Sequence, residues 1–234
     1  MNLKYTKKWT KGFSKDDAIL YDNKFKFRFE KNIKHLEQVN ILKSLIKKDN
    51  KWLDFPVGSA RLMRCIDCKE KYGFDFSETF LLFAKQHGIK VEKHNLFDNE
   101  LNGNFDIVTC TNALFAFSKE DQAAIIKNLE RLVDKKGILV LDLINIQNKI
   151  ISHENIDSIV PKNNFFVKNE IVSMLKKLGF KSIKIHAYDF YDKPRIINLL
   201  VKFKVYNFLN LLYFKLDLYP LFKFWASFFG ESKK

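Results

Sequence analysis

The stretch KWLDFPVGSARL, residues 51–62, decides the fold. An apolar run, WLDF, leads into a Pro/Gly turn at residues 56–58, and residues 59–69 are compatible with a helix. The pattern predicts a strand, a tight turn and a helix. In such a turn Gly58 allows close approach of the chain to a ligand, and Ala60 is small enough for tight packing of the helix on the strand.

The same order of elements recurs along the chain. A helix over 31–48 precedes the first strand, because apolar residues follow one another there at three- and four-residue steps. Further strands are predicted in YGFDF, IKVEKHN, NFDIVTCTNALF, GILVLDLIN and FKSIKIHAYDF. Helices lie between them, one opened by Ser77 and closed by Gly88, another opened by Ser118 and closed by Gly137, and a third in KNEIVSMLKKLG. This alternation predicts a doubly wound α/β fold with a mostly parallel sheet and helices on both faces.

Composition limits the class of protein. The chain has 234 residues, enough for one sizeable core, so we expect one domain over 1–234. It holds no run of about 18 uncharged apolar residues and no apolar leader near the start, which favours the cytoplasm. Its three cysteines argue against a disulfide framework, and the Cys65–Cys68 spacing has no second ligand pair, so we expect packing there rather than a metal.

The net charge of +14 raises the question of nucleic acid. Only five of the 41 basic residues are arginine, the side chain that reads bases and phosphates bidentately. The lysines are spread along the chain. A solvated basic surface is therefore favoured, and a nucleic-acid partner is disfavoured.

Polar residues follow the first two predicted strands. Asp54, Gly58 and Ser59 stand where backbone N–H groups face a ligand in doubly wound sheets. Asp75 follows the second strand about twenty residues on, where an acid accepts hydrogen bonds from both hydroxyls of a ribose. The alternative role for Asp75 is to favour the start of the helix that follows it.

This ordered series resembles the class I S-adenosylmethionine-dependent methyltransferases. WLDFPVGSARL is similar to the first motif of that family in a variant with proline, and YGFDFSETFLLFAK is similar to its G-x-D-x-S segment. NLFDNELNGNFDIVTCTNALFAF and LERLVDKKGILVLD resemble the regions around its third to fifth strands. The resemblance covers residues 51–145. It implies a Rossmann-like sheet of seven strands, with a helical insertion before the last strand.

The resemblance also implies a cofactor, S-adenosylmethionine, and a site. Residues 54–60 would surround its methionine part, Asp75 would bind the ribose, Phe76 would pack on the adenine, Asn95 would accept the adenine amino group, and Thr111 would line the amino-acid end. The implied cofactor-binding residues are Asp54, Pro56, Gly58, Ser59, Ala60, Asp75, Phe76, Asn95, Leu96 and Thr111.

The acceptor is less defined. The amino-methylating tetrapeptides of the N-P-P-Y type are absent, since the matching position reads TNAL, so oxygen or carbon acceptors are favoured over nitrogen. Catalytic bases are sought among the histidines, whose pKa lies nearest neutrality. His153 in the loop after the fifth strand is the best candidate, ahead of His94 and His186. Further candidate contacts, in an N-terminal lid segment over 1–30, are Tyr21 and Arg28.

The C-terminal part is aromatic and basic. Residues 195–230 hold eleven Phe, Tyr or Trp residues with lysines interleaved, so the stretch is too charged to span a membrane. After the core over 31–194, we expect a helical insertion over 195–221 and a last strand over 222–230. The insertion would form an apolar pocket for a small or lipid-linked acceptor, and 195–229 would contact the inner face of a membrane peripherally. The alternatives are a catalytically silent relative that binds a partner, and a nicotinamide-dependent dehydrogenase.

Overall fold

A computed structural model describes residues 14–16, 18–19, 33–144, 166–188 and 227–233 and shows one sheet of seven strands in this part of the chain. The strands are β1 Lys51–Asp54, β2 Glu70–Asp75, β3 Lys90–Lys93, β4 Phe105–Cys110, β5 Val133–Ile144, β6 Ser182–Tyr188 and β7 Ser227–Lys233. Their order in the sheet is β3-β2-β1-β4-β5-β7-β6. Strands β1 to β5 run parallel, and β7 is antiparallel to both β5 and β6. The predicted α/β class with a mostly parallel sheet is confirmed.

Side chains alternate between two apolar layers, one on each face of the sheet. In β1, Trp52 belongs to one layer and Leu53 to the other; in β4, Ile107 and Val108 divide in the same way. This period of two is that of a pleated strand buried on both faces. The apolar sequence of these strands therefore follows from having helices on either side.

The helices described between the strands follow the predicted pattern closely. They are α1 Ile33–Leu45, α2 Glu78–Gln86, α3 Lys119–Leu132 and α4 Lys168–Lys177. Ser77 and Ser118 begin α2 and α3 as predicted, since their hydroxyls accept the N–H groups of Phe80 at 3.5 Å and Asp121 at 3.1 Å. Helices α1 and α2 contribute to one apolar layer, and α3 and α4 to the other.

The helix predicted over 59–69 is wrong. Only a single 3-10 turn, Met63–Cys65, follows β1 before the chain enters β2. Two residues of the preceding turn, Gly58 at φ 51° and Ala60 at φ 56°, are left-handed, which prevents a continuous helix from starting there. The apolar residues of this stretch still enter the core, because Leu62, Met63 and Ile66 are buried.

The start of β5 also differs from the prediction. The helix before it was expected to continue to Gly137, but it ends at Leu132 and the strand begins at Val133. The ladder between β4 and β5 shifts register after the Phe105–Val133 pair, as at a β-bulge. Gly137 therefore does not cap a helix. A Cβ there would lie 2.8 Å from the carbonyl oxygen of Phe105, so its role is close approach of two backbones.

The last strand is described over Ser227–Lys233, so it continues three residues beyond the predicted end at residue 230, and it lies between β5 and β6. The predicted first part of this strand, 222–226, lies outside the described residues. The predicted insertion over 195–221 and the N-terminal lid over 1–30 fall outside the described residues, apart from 14–16 and 18–19.

Candidate functional site

A cleft opens beside the carboxyl ends of β1, β2 and β4. Its volume is about 1300 Å³ counted to its open mouth. The predicted site residues that line it are Asp54, Pro56, Gly58, Ser59, Asp75, Phe76, Asn95, Leu96 and Thr111. This is the edge of a doubly wound sheet at which ligands are expected.

Asp54 ends β1 on the floor of the cleft. It is 3% exposed, and its Oδ1 accepts a hydrogen bond of 2.5 Å from the Thr109 hydroxyl. The Thr109 hydroxyl in turn accepts the indole N–H of Trp52 at 3.0 Å. Burial raises the pKa of Asp54 to about 7, with the nearby Asp75 carboxyl adding to the rise, while the Thr109 hydrogen bond and the Arg61 charge oppose it. Asp54 thus takes up or releases a proton near neutral pH.

Asp75 connects the end of β2 to the turn after β1. Its Oδ2 accepts the backbone N–H of Gly58 at 2.9 Å, and its Oδ1 accepts that of Ser77 at 2.9 Å. Burial raises the pKa of Asp75 to about 6, although these backbone hydrogen bonds oppose the shift. Each carboxylate oxygen has a further lone pair, so Asp75 can both hold the turn and accept a ligand hydroxyl.

Gly58 and Ser59 form the wall of the cleft beside Asp75. Gly58 has φ 51°, and a Cβ at this position would meet no atom within 4 Å. The left-handed backbone, rather than crowding by the protein, thus accounts for the glycine. The Ser59 hydroxyl is buried and makes no hydrogen bond within the described residues. Since buried polar groups are nearly always paired, this hydroxyl is a candidate donor to a ligand group in the cleft.

Ala60 is the predicted site residue that does not line the cleft. Its side chain is fully buried in the apolar layer that contains Leu42 and Trp52. The expectation that it would face a ligand is corrected. A left-handed residue between Ser59 and Arg61 turns its own side chain into the core while both neighbours line the cleft.

The far end of the cleft is aromatic. Phe76 and Phe80 line one part of it, and Phe97 and Phe117 pack edge to face with ring centroids 5.5 Å apart in another. The sequence indicated only Phe76 among these. The other rings belong to helix and loop positions that only the tertiary fold brings to the cleft.

Asn95 lines the cleft but already has an acceptor role. Its Oδ1 accepts the N–H of Phe97 at 3.1 Å, and its own N–H donates to Asp98 Oδ2 at 2.8 Å. These bonds form a tight turn after β3, as Asn and Asp side chains commonly do. One lone pair of the Asn95 carbonyl remains for a ligand donor.

Two polar lining residues, Arg61 and Asn112, were also missed by the sequence reasoning. Arg61 is 8% exposed, and its Nη2 donates to Gln38 Oε1 at 2.8 Å. Its Nη1 contacts Nδ1 of His35, whose pKa is lowered to about 4 by burial and by the charges of Arg61 and Arg64. His35 is therefore neutral at pH 7 and accepts this bond. Arginine is rare in this chain, so an arginine directly after the predicted turn was the signal that could have identified Arg61 as a site residue.

The candidate bases lie in different places. His94 lines the cleft. His186 is on β6, which the strand order separates from β4 by β5 and β7. His153, Tyr21 and Arg28 lie outside the described residues. No catalytic role for any of them follows from the fold.

The described residues also bear on metal and membrane binding. Within them, no group of three or more His, Cys, Asp or Glu side chains lies close enough to hold a metal ion. None of the helices described is long and apolar enough to cross a bilayer.

Residues 77–160 match the model of a family described as CheR methyltransferase, SAM binding domain. The match starts at the helix cap after β2 and includes Asn95, Leu96 and Thr111. The predicted resemblance to the S-adenosylmethionine-dependent methyltransferases is confirmed over these residues, and with it the expected enzyme class and cofactor.

Individual proteins similar to this chain agree with its fold. The chain is 27% identical over 182 residues to the uncharacterized protein MJ1123 of Methanocaldococcus jannaschii, covering 74% of the chain and 84% of that protein. A possible histamine N-methyltransferase of Thermotoga maritima superposes with TM-score 0.59 at 19% identity, covering 76% and 84% of the two chains. Magnesium protoporphyrin IX methyltransferase of Synechocystis, solved with S-adenosylmethionine bound, gives TM-score 0.53 at 15% identity, covering 86% and 81%.

The cleft suits the chemistry of this cofactor. S-adenosylmethionine combines an aromatic base, a ribose diol, a sulfonium cation and an amino-acid end. The cleft offers aromatic rings, two buried carboxyl groups and the Ser59 hydroxyl, which has no hydrogen-bond partner among the described residues. The glycine-poor first turn retains these groups in spite of Pro56 and Ala60.

Proposed function

We propose that the cleft binds S-adenosylmethionine through the residues predicted from the sequence, and that a methyl group passes to an oxygen or carbon of a small apolar acceptor. The position of Asp75 carries the proposal. Its carboxylate joins the first turn to the end of β2, with an oxygen bonded to each side. A ribose diol placed there would complete the hydrogen bonding of both oxygens.

The remaining cofactor roles follow from the chemistry of the lining. Phe76 would stack on the adenine, with Leu96 on an apolar wall and the Asn95 carbonyl as acceptor. Ser59 and Thr111 would donate to the amino-acid end, and ionised Asp54 would favour positive charge near the floor of the cleft. Ala60 is left out of this set because it is buried in the core.

The chain's part in the reaction is mainly orientation. S-adenosylmethionine, when bound, supplies a methyl group from its sulfonium. The residues of the cleft hold donor and acceptor in line and exclude water, a contribution that lowers the entropic part of the barrier. Weakly acidic acceptors also need a base, and the untested candidates for it are His153 and His94.

Calorimetric titration with S-adenosylhomocysteine tests the cofactor site. We expect binding to the wild type and roughly a tenfold or greater loss of affinity in Asp75→Asn, because the asparagine amide has one oxygen that accepts and an NH2 group that only donates. Asp67→Asn is the matched control, since Asp67 is an exposed carboxylate outside the cleft. No binding by the wild type at high micromolar ligand would refute the proposal and favour a catalytically silent relative. Tight binding of a nicotinamide dinucleotide instead would establish the dehydrogenase alternative.

An apolar acceptor is supported by the residues that line the cleft beside the Phe97–Phe117 pair. The residues beyond Thr111 include Ala113, Ala116 and Phe117, with Phe97 opposite. The loop after β4 reads TNAL rather than N-P-P-Y, which disfavours an adenine or amide nitrogen. Both features suit a phenol, a carboxylic acid or a lipid-linked ring.

A defined panel separates the acceptor classes. Radiolabelled S-adenosylmethionine would be offered with apolar phenols, fatty acids and prenylated phenols on one side, and with amines, RNA and DNA on the other. We expect label in an organic-soluble product. Transfer to an amine or to nucleic acid would overturn the acceptor proposal and leave the cofactor proposal intact.

We further propose a single domain over 1–234 in which residues 195–229 contact an anionic membrane peripherally. The aromatic residues and the lysines of this stretch support the proposal. In vesicle flotation, the wild type should bind vesicles with anionic lipid more strongly at low salt. A variant with Lys202, Lys204, Lys215 and Lys223 changed to Gln should bind less than a control with Lys47, Lys48, Lys135 and Lys136 changed to Gln. Equal binding by the two variants would reject this contact surface.

A further inference from the structure

Two residues with a side chain adopt a left-handed backbone among the described residues, Ala60 at φ 56° and Asn112 at φ 54°. This conformation is unfavourable for a residue with a Cβ, especially for alanine. Such residues persist only where surrounding contacts hold them, and they concentrate at functional sites. Here they lie in the turn after β1 and in the loop after β4, two segments whose other residues, such as Ser59 and Thr111, line two walls of one cleft.

A ring of four side chains connects these two walls. Arg61, next to Ala60, donates to Gln38 Oε1 at 2.8 Å. Gln38 Nε2 donates to Asp142 Oδ2 at 3.2 Å. The amide of Asn112, oriented with its nitrogen toward Asp142, donates to Asp142 Oδ2 at 3.3 Å and accepts from Arg61 Nη2, which closes the ring.

The ring also holds the backbone of the second wall directly. The main-chain N–H of Asn112 donates to Asp142 Oδ2 at 3.2 Å. Gln38 is fully buried, while Asp142 is 3% and Arg61 8% exposed. The two opposite charges are thus joined through two amides in a nearly dry environment, where hydrogen bonds to charged groups are strong and geometry matters most.

We propose that this ring of Gln38, Arg61, Asn112 and Asp142 is a positioning device that fixes the amino-acid end of the cofactor cleft. The proposal rests on the proposed cofactor site. It assigns to Arg61 the role of a positioning residue that acts through the turn at Ala60 and through Asn112. It also explains why α1, which carries Gln38, packs over the first turn.

The ring differs in kind from an internal ion pair that only stabilises the fold. A purely stabilising network would affect every ligand of the cleft equally. A network that fixes the two left-handed walls would affect only the ligand atoms between those walls. The adenine and ribose would be held elsewhere, by Phe76 and Asp75.

Two ligands distinguish a ring that positions the amino-acid end from one that only stabilises the fold. S-adenosylhomocysteine has the amino-acid end, and 5′-methylthioadenosine has the same adenosine without it. Calorimetric titration of Gln38→Met, which removes two bonds of the ring and leaves both charges, should show about tenfold weaker binding of the first ligand. Binding of the second should stay within about twofold. Gln86→Met, an exposed change in α2, is the control and should alter neither.

A second variant tests the proposal independently in case Gln38→Met does not fold. The double variant Arg61→Met with Asp142→Leu replaces both charges by apolar groups of similar size, a change that buried pairs often tolerate. It should show the same selective loss. Thermal unfolding, recorded for each variant, identifies any that do not fold.

A glycine at position 60 should restore part of the lost ligand affinity, a result that a merely structural role of the ring would not predict. Because glycine adopts the left-handed conformation freely, Ala60→Gly added to Gln38→Met should recover at least threefold of the lost S-adenosylhomocysteine affinity. Equal losses for both ligands, no loss, or no recovery by the glycine would overturn the proposal. If the wild type binds neither ligand, the proposed function fails instead, and the two failures are thereby distinguished.

Discussion

At the scale of single residues, the Ser59 hydroxyl has two expected effects: it destabilises the protein without ligand, and it strengthens binding of the ligand. Its buried hydroxyl lacks a partner within the described residues, and such a group destabilises by about 1–3 kcal/mol. Ser59→Ala removes the hydroxyl without adding volume. We therefore expect the ligand-free variant to unfold at a higher temperature than the wild type, by roughly 2–4 °C.

The same change should weaken binding of S-adenosylhomocysteine, by about five- to tenfold, because a donor of the cleft is lost. Calorimetric titration and thermal unfolding of the same preparation measure the two effects. Ser44→Ala on the exposed side of α1 serves as the control. Opposite signs would mark Ser59 as a ligand residue, whereas a loss of stability together with unchanged affinity would contradict that role.

Asp54 makes a pH prediction of definite sign. Its pKa is about 7 in the folded protein and about 4 when exposed, so between these values the folded state keeps a proton that the unfolded state has released. The contribution of Asp54 to the free energy of unfolding therefore falls as pH rises, by up to about 1.4 kcal/mol per pH unit, and becomes constant above about pH 7.

The variant Asp54→Asn has no titrating group at this position, so its stability does not fall with pH for this reason. Relative to the wild type, it should gain stability in urea denaturation as pH rises from about 5 to about 7, and no more beyond. For Asp75→Asn, the gain in stability over the wild type should stop growing near pH 6, because the pKa of Asp75 is about 6. Parallel stability curves for wild type and Asp54→Asn would show that Asp54 does not titrate in this range.

How far the site could be predicted differs between residues of this kind. Asp54 and Asp75 were found because their chemistry depends on a local pattern, a strand followed by a polar residue. Arg61 and Asn112 were not, because their roles depend on partners such as Gln38 and Asp142, which are 104 positions apart in the chain. Ala60 was misplaced because one backbone angle, invisible in the sequence, turns its side chain from the cleft into the core.

At the scale of elements, the connection from β1 to β2 departs most from expectation. Apolar residues in SARLMRCID are spaced acceptably for a helix, and the sequence alone offered no reason to reject one. The left-handed turn instead gives a short 3-10 segment, Met63–Cys65, which buries the same apolar side chains. Without a long helix here, the cleft lacks the helix dipole that usually faces an anion. Side chains such as Ser59 and Arg61 therefore become more important in this wall.

The register shift at the start of β5 depends on Gly137. An added Cβ would lie 2.7 Å from Val133 Cγ1, 2.8 Å from the Phe105 oxygen and 3.0 Å from the Asp106 oxygen. Backbone atoms cannot move aside as a flexible side chain can. Gly137→Ala should therefore destabilise the protein by about 1–3 kcal/mol in urea denaturation. The neighbouring change Lys136→Ala, at an exposed position, should cost less than about 0.5 kcal/mol. Equal effects would mean that the bulge adjusts freely.

At the scale of the whole molecule, the sheet joins distant parts of the sequence through its last strand. The alternation of strands and helices was enough to predict a parallel sheet through β5. The place of β7 was suggested only by the family resemblance, and the described strand ends three residues later than predicted. The sequence pattern specifies each strand locally, but the order of strands depends on which edges remain open when the chain returns.

Deletion of residues 227–234 tests this arrangement. In the folded protein β7 pairs along its length with both β5 and β6, so its loss would leave two unpaired edges and separate β6 from the rest of the sheet. We expect the shortened chain to lose cooperative unfolding or to aggregate, as measured by urea denaturation and light scattering. A variant with Glu231, Ser232 and Lys233 changed to Thr keeps the backbone of the strand and should fold. If the shortened chain unfolds as cooperatively as the wild type, β7 is not the strand that holds β6 to the sheet.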